Sequence, residues 1–278
     1  MADRRIITVL SGKGGTGKTT VASALAMTME NAYYIDSDVE EPNGKFFMKP
    51  NINDSYTFKN PVPRIDENKC TFCGKCADGC EYSAISIIKN SKKSFVFDEL
   101  CHSCGLCWTI CPENAIDQFP KPVGDVNKGI ADTCSTESFK EGLLNIGLPS
   151  GVPLINHLLE DLDDNRTYII DAPPGTSCPV VAALMPCDFA LIVTEPTPFG
   201  INDLELTLEL IRDIGRKGGI VINKFRNENR EIKKLSEEYS MPILATIPYE
   251  RSIAEDYSDG VLNSRVTDAV SDIIGRIQ

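Results

Sequence analysis

A run of glycines and lysines, Ser11-Gly-Lys-Gly-Gly-Thr-Gly-Lys-Thr19, follows directly on the apolar stretch Ile6–Leu10. Gly12, Gly14, Gly15 and Gly17 let the backbone fold around phosphate oxygens. A helix starting near Gly17 turns its first N–H groups toward the same anion. In that setting Lys18 reaches the β- and γ-phosphates of a nucleotide and the Thr19 hydroxyl ligates Mg2+, with Thr16 and Thr20 completing the cradle. Lys13 is a second lysine in the loop, and it stands too early to serve the same phosphates from the same side.

A second chemical pattern lies far along the chain. Cys70-x2-Cys73-x2-Cys76-x3-Cys80 recurs as Cys101-x2-Cys104-x2-Cys107-x3-Cys111-Pro112. This is the spacing with which bacterial-type runs hold [4Fe–4S] clusters, the fourth cysteine of each run closing the other cluster. Three closely spaced thiolates on a turning loop hold three corners, and a distant thiolate supplies the fourth. One cluster is therefore assigned to Cys70, Cys73, Cys76 and Cys111, the other to Cys101, Cys104, Cys107 and Cys80. Zinc, which paired Cys-x2-Cys also serves, needs four thiolates per site and explains neither the third cysteine of each run nor the trailing one. Glu81 stands where a proline usually follows the fourth cysteine, a departure that touches loop geometry more than ligation.

These groups need elements to position them. Outside the cysteine region, strand and helix alternate: strands at Ile6–Leu10, Ala32–Asp36, Thr167–Asp171, Phe189–Thr194, Gly219–Asn223 and Ile243–Ile247, and helices at Lys18–Met29, Val180–Met185, Asn202–Ile214, Arg230–Tyr239 and Arg265–Ile277. Apolar strands separated by helices imply an α/β fold with a mostly parallel, doubly wound sheet, whose ligands bind at the carboxyl ends of the strands. The rhythm breaks between Pro61-Val-Pro63 and Phe119-Pro-Lys-Pro122, read as linkers around an inserted small α+β module. The expected division is 1–61 with 122–278 for the main domain and 62–121 for the insert. Inside it the two cysteine runs repeat at 31 residues, each followed by Ala-Ile, with a hairpin at Ile85–Ile88 and Phe95–Phe97. About sixty residues cannot build an adequate core alone, so metal ligation must hold much of the insert together. Within 127–157, Ser138–Leu144 and Val152–Leu159 read as helical.

Three strand ends meet the phosphate loop at one rim. Asp36-Ser-Asp38 and Asp171-Ala-Pro-Pro-Gly175 offer carboxylates that hold Mg2+ through its water or orient an attacking water, although an Asp at a strand end also serves as a turn former. Asn223-Lys224 offers an amide for the purine edge, against the alternative of a turn asparagine.

Taken together, Lys13-Gly-Gly-Thr-Gly-Lys18, Asp36-Ser-Asp38, Asp171-Ala-Pro-Pro-Gly-Thr176 and Val221-Ile-Asn-Lys224 resemble the deviant Walker A P-loop ATPases of the MinD/ParA/Mrp group. More narrowly, the chain resembles MinD-superfamily ATPases that contain an inserted 2[4Fe–4S] ferredoxin domain, over nearly its whole length. The resemblance implies that Lys13 contacts phosphates bound to the opposite subunit of a nucleotide-sandwiched dimer. It also implies that Asp38 positions or activates the water, that Thr19 ligates Mg2+ and that Asp171 begins a switch segment. ATP hydrolysis and an ATP-dependent homodimer, or a dimer with a paralogue, are the corresponding expectations. MinD itself ends in a basic membrane helix; here Val266, Ala269, Val270, Ile273 and Ile277 form an apolar stripe opposite mixed charges, which reads as a helix docked on the core. The Cys-x2-Cys that Mrp-type carriers place near the C-terminus is absent.

Of 278 residues, 42% are hydrophobic and 24% charged, as in soluble globular proteins. The net charge is −12, with about −1 between Val62 and Lys121; an acidic body disfavours nucleic acid and anionic membrane as partners. No apolar stretch is of bilayer length, and the N-terminus runs straight into a strand, so no signal peptide is expected. Exposed clusters need a reducing compartment, so a cytoplasmic protein and an anaerobic or microaerobic host are expected. The functional expectation is an ATPase that couples nucleotide state to electron transfer toward a redox partner. The alternatives are a maturation factor supplying electrons, metal or clusters to a metallocofactor-assembly partner, and a positioning ATPase of the MinD/ParA kind. Cys134, Cys178 and Cys187 fall outside the runs. Cys178, at a helix start, reads as a buried packing residue, with a labile metal or redox role as the alternative; Trp108 reads as packing inside the insert and His102 as a loop residue beside a cluster.

Overall fold

The computed structural model describes residues 4–132, 137–227 and 229–277. In chain order the elements are β1 (Arg5–Leu10), α1 (Lys18–Thr28), β2 (Ala32–Asp36), α2 (Lys45–Met48), β3 (Asn51–Ile65), α3 (Lys75–Asp78), β4 (Ile85–Ile88) and β5 (Lys93–Val96). There follow α4 (Leu106–Thr109), β6 (Ile116–Ile130), β7 (Phe139–Leu144), α5 (Val152–Leu158), β8 (Thr167–Asp171), α6 (Cys178–Leu184) and β9 (Phe189–Thr194). The chain closes with α7 (Pro198–Ile214), β10 (Lys217–Phe225), α8 (Arg230–Glu238), β11 (Ile243–Pro248), α9 (Arg251–Ser258) and α10 (Ser264–Ile277).

Nine strands form one sheet in the order β11-β10-β9-β1-β8-β2-β7-β6-β3. The pairings from β11 across to β7 are parallel, and Asp36 of β2 lies in register with Asp171 of β8. Parallel strands covered on both faces read as unbroken apolar runs. That is why β1, β8 and β9 are nearly continuous in buried residues. Val21, Ala22 and Leu25 of α1 pack in one core cluster with Val266, Ala269, Val270, Ile273 and Ile277 of α10. The apolar stripe of the last helix is thus buried in the core, at about 1.5–3 kcal/mol for each large aliphatic side chain. Among the described residues no helix is long and apolar enough to cross a membrane.

Two compact units are present, one of residues 1–55, 126–143 and 155–278, the other of 56–125 and 144–154. In the smaller unit β4 and β5 form the antiparallel hairpin, with Ile85 opposite Val96. Its apolar cluster is small: Cys76, Ile85 and Ile116, flanked by Ile65, Ala77, Ile87, Cys107, Trp108 and Cys111.

Two readings of the sequence are corrected. The proline segments at 61–63 and 119–122 are not linkers, since they lie within β3 and β6, neighbouring strands of fifteen residues each. β3 is the sheet's edge, where missing N–H donors cost little. The segment Ser138–Leu144 is not helical: Phe139–Leu144 is β7, paired with β2 through Tyr34–Phe139, Ile35–Lys140 and Asp36–Glu141. Buried charge disguised this strand. Lys140 donates to the carbonyl of Leu158 at 2.7 Å, and Glu141 accepts from Asn127 at 3.0 Å. Burial pushes the Lys140 ammonium down to about 8. Cys134 lies outside the described residues.

Candidate functional site

The loop after β1 is shaped by glycines at positions where a side chain would not fit. Gly15 and Gly17 have φ of 76° and 94°, and a Cβ on Gly17 would run into the amide of Asn223. Gly17 also precedes α1 with no side-chain cap, leaving the first amides of the helix to meet an anion. Around this loop is a cavity of about 390 Å3. Lys13, Gly14, Gly15, Gly17, Lys18, Thr19, Thr20, Asp38 and Asn223 all line it. Gly12 does not: a Cβ there would meet Asp203 of α7, so this glycine serves packing. Thr16 is buried, and its hydroxyl oxygen has no hydrogen-bond partner.

Behind the loop lies a charged pair. Lys18 Nζ donates to Asp171 Oδ1 at 2.6 Å, with both side chains buried. Tyr34 Oη donates to Asp171 Oδ2 at 2.8 Å. Both oxygens of Asp171 therefore have donors, and the residue stands behind Lys18 rather than on the cavity wall. Burial alone would lower the Lys18 ammonium, but the attraction and hydrogen bond of Asp171 outweigh it and leave the group above its ordinary value. Such a lysine favours the fold at all pH values below its free titration and ceases to do so only when pH rises through its folded value. Asp36 is fully buried. Its oxygens accept from the backbone N–H of Gly44 at 2.8 Å and of Asp38 at 3.2 Å. Burial, then the neighbouring charge of Asp171, pushes the Asp36 carboxyl well up. Asp38 faces the cavity and is pushed up to about 6, by burial first, with Lys18 opposing.

Asn223 braces the loop. Its Nδ2 donates to the carbonyl of Thr16 at 2.7 Å, and its Oδ1 accepts from the N–H of Lys224 at 2.8 Å. The remaining cavity wall comes from a region the sequence left unassigned: Tyr249, Glu250, Ile253 and Tyr257, at the end of β11 and on α9. The Arg226 guanidinium lies 4.1 Å over the ring of Tyr249. Glu195 was also missed. It directly follows β9 at the same rim, where it receives Lys13 and, at 2.8 Å, Lys224. Burial would raise its carboxyl, but hydrogen bonds from the two lysines hold it below the ordinary range. A glutamate beside a strand end and two prolines carries no motif, so only its partners reveal it.

In the smaller unit the cysteines fall into two groups. One pocket is lined by Cys70, Cys73, Cys76 and Cys111, the other by Cys80, Cys101, Cys104 and Cys107. The fourth cysteine of each run is thus exchanged. Backbone conformation repeats at the 31-residue offset: Phe72 and Ser103 have φ of 54° and 55°, Gly74 and Gly105 of 90° and 83°, Ser83 and Asn114 of 52° and 48°. The sulfurs of Cys70, Cys80, Cys101 and Cys111 accept backbone N–H groups from Phe72, Ala84, Ser103 and Ala115 at 3.3–3.4 Å. Such N–H donors stabilise thiolate charge. Among the described residues no three His, Cys, Asp or Glu side chains are arranged to hold a single metal ion. His102 stacks on Tyr82 with ring centroids 3.7 Å apart, and Trp108 joins the small apolar cluster. Cys187 is buried beside Thr8, whereas Cys178 is exposed at the start of α6 and is not the buried packing residue expected, because that end of the helix faces solvent.

The family model for the CobQ/CobB/MinD/ParA nucleotide-binding domain matches residues 7–263. The chain belongs to this family. The MinD of Pyrococcus horikoshii, solved with Mg-ADP, superposes with a TM-score of 0.58 over 99% of this chain and 96% of that one, at 17% identity. This MinD-like likeness extends to the fold alone. A cytosolic Fe-S cluster assembly factor NUBP2 homolog of Nematostella vectensis is 24% identical over 302 residues, covering 99% of this chain and 92% of that protein. Locally, an uncharacterized ferredoxin of Methanocaldococcus jannaschii is 39% identical over 54 residues, 19% of this chain and 70% of that protein. The chain is therefore a MinD/ParA-type P-loop protein with iron–sulfur relatives.

Proposed function

We propose that this protein hydrolyses ATP and couples its nucleotide state to electron transfer from two [4Fe–4S] clusters. The observation that carries the reading is a P-loop cavity and two four-cysteine pockets on one chain. In this proposal 1–61 with 122–278 form the ATPase and 62–121 the electron-carrying insert. Lys18 and the loop amides bind the phosphates, and Thr19 with Asp38 and, through water, Asp171 hold Mg2+. Hydroxyl and carboxylate oxygens are the hard donors that this ion takes. Asp38 orients the attacking water. Lys13 leaves Glu195 to meet the phosphates on a second copy or a paralogue. The clusters supply one-electron chemistry, and their thiolate sets are those given above. The chain path from the phosphate rim through α2 into β3 is the covalent route by which nucleotide state reaches the insert. To turn an open-to-closed ratio of 1:99 into 99:1, ATP must favour closure by roughly 5.5 kcal/mol, within reach of several charge-assisted phosphate contacts. Exposed clusters require the reducing cytoplasm.

The assembly-factor relatives favour a second reading, in which the same ATPase delivers electrons, metal or clusters to an assembly partner. A positioning role is less well supported, because the apolar face of α10 is buried and the body is acidic.

An anaerobic redox titration with ATP, with ADP and without nucleotide tests the proposal. ATP alone should change electron delivery to an acceptor, and Lys13→Ala should abolish that change while nucleotide affinity stays within about threefold of wild type. Iron retained over many turnovers supports electron transfer, and iron passed to an apo-acceptor supports assembly. Clusters indifferent to nucleotide overturn the coupling. The pH profile gives a further expectation. Because burial pushes Asp38 up to about 6 in the protein without metal or nucleotide and it acts as a carboxylate, kcat/KM, which reports the free protein, should fall as pH drops through that value, approaching tenfold per pH unit. A profile flat from about pH 5 to about pH 8 contradicts the role of Asp38.

A further inference from the structure

Tyr34 stands at an unusual place for a phenol. It is the third residue of β2, fully buried, with apolar Ile35 beside it and Phe139 opposite it in the sheet. Its ring lies parallel to that of Phe139, with centroids 5.8 Å apart. A leucine or phenylalanine would satisfy this packing, and a buried hydroxyl is tolerated only with a partner. That partner is Asp171 Oδ2, at 2.8 Å, on the carboxylate whose other oxygen receives Lys18. The phenol also abuts Gly44, where any Cβ would collide with the Tyr34 oxygen. The N–H of Gly44 is held in turn by Asp36, two residues beyond Tyr34 on the same strand. Gly44 directly precedes α2, and its carbonyl accepts from the N–H groups of Phe47 and Met48.

We infer that Tyr34 is a positioning residue linking the buried pair Lys18–Asp171 to Gly44, so that a change at the phosphates is felt at the start of α2. This rests on the proposed ATP hydrolysis and adds a residue to it. When Lys18 moves toward a γ-phosphate, Asp171 loses one of its two donors, and the Tyr34 hydroxyl becomes the contact that keeps the carboxylate in place. The same phenol supports the Gly44 backbone from below. One hydroxyl thereby sets both the carboxylate on the Mg2+ side and the loop bearing Asp38 and Asn43.

The test is Tyr34→Phe, which keeps the ring and removes one oxygen. The kcat for ATP should fall about tenfold, the cost of one hydrogen bond to a charged group. KM should stay within about twofold. Hydrogen exchange in wild type should differ between ATP and ADP at residues 44–49, and that difference should vanish in the variant. Phe139→Leu, which loosens the ring without touching the hydroxyl, controls for packing. It should lower the melting temperature while leaving kcat within about twofold. A Tyr34→Phe protein with wild-type kcat, or one that keeps the nucleotide-dependent exchange, overturns the inference. Equal kcat losses in both variants also overturn it by showing a packing effect. A wild-type chain that does not hydrolyse ATP removes the activity and this inference together, whereas loss confined to the variant's readouts leaves both standing.

Discussion

Replacing Lys18 with alanine should abolish nucleotide binding and destabilise the protein at the same time. The ammonium stands at the glycine turn and contacts Asp171 at 2.6 Å, with both side chains buried. Loss of two or three charge-assisted hydrogen bonds to phosphate, at about 1.5–3 kcal/mol each, weakens affinity by roughly a hundredfold or more. Removing one member of a buried ion pair costs about 3–5 kcal/mol, because the remaining carboxylate stays desolvated. Here Tyr34 still donates to Asp171, which favours the lower end of that range. Calorimetric titration with ATP and urea unfolding separate the two effects. The pair Lys18→Met with Asp171→Asn should recover much of the stability and none of the binding. Recovery of binding in the double variant would show that Lys18 serves only the fold.

The second large effect concerns which cysteines belong together. Anaerobically prepared protein should carry about eight irons per chain. Cys70→Ala with Cys111→Ala removes two ligands from one pocket and should leave about four irons, with the other site spectroscopically intact. Cys70→Ala with Cys80→Ala damages both pockets and should leave almost none. The two double variants differ only in the fourth cysteine, so they test the exchange directly. The opposite ranking would assign each run to a cluster of its own. The effect on folding should also be large. The apolar cluster of the smaller unit contains three buried residues, two of them isoleucines, and ligation must supply what packing cannot. Burial pushes the Cys107 thiol up to about 11, so cluster binding must displace a proton there. Chelation should therefore unfold this unit well below the temperature at which the loaded protein melts.

Much of the main domain was legible in the chain because local signals agreed with the tertiary environment. The apolar runs of β1, β8 and β9 read as strands since both faces are covered, and Gly15 and Gly17 take the left-handed conformations that a tight loop requires. Legibility failed where polar residues were buried or where a strand lacked an apolar face. β7 carries Lys140 and Glu141 inside the protein, and their partners at Leu158 and Asn127 come from other elements. β3 is exposed over its first five residues, buries only two, and contains two prolines, so neither periodicity nor propensity marked it. α9, eight residues long with none buried, was left unassigned although it supplies a wall of the cavity.

The candidate sites divide along the same line. Spacing along the chain determined the phosphate loop, the strand-end carboxylates and the two cysteine runs, because each depends on a few consecutive backbone conformations that residue type controls. Only the tertiary structure decided that Asp171 faces Lys18 and Tyr34, that Lys13 and Lys224 share Glu195, and that Asn223 braces the loop. Those contacts join residues more than a hundred positions apart in most cases, and their geometry arises from strand register and burial. Sequence proximity cannot encode such a contact; a packed sheet, which brings strand ends to a common rim and excludes water from between them, does.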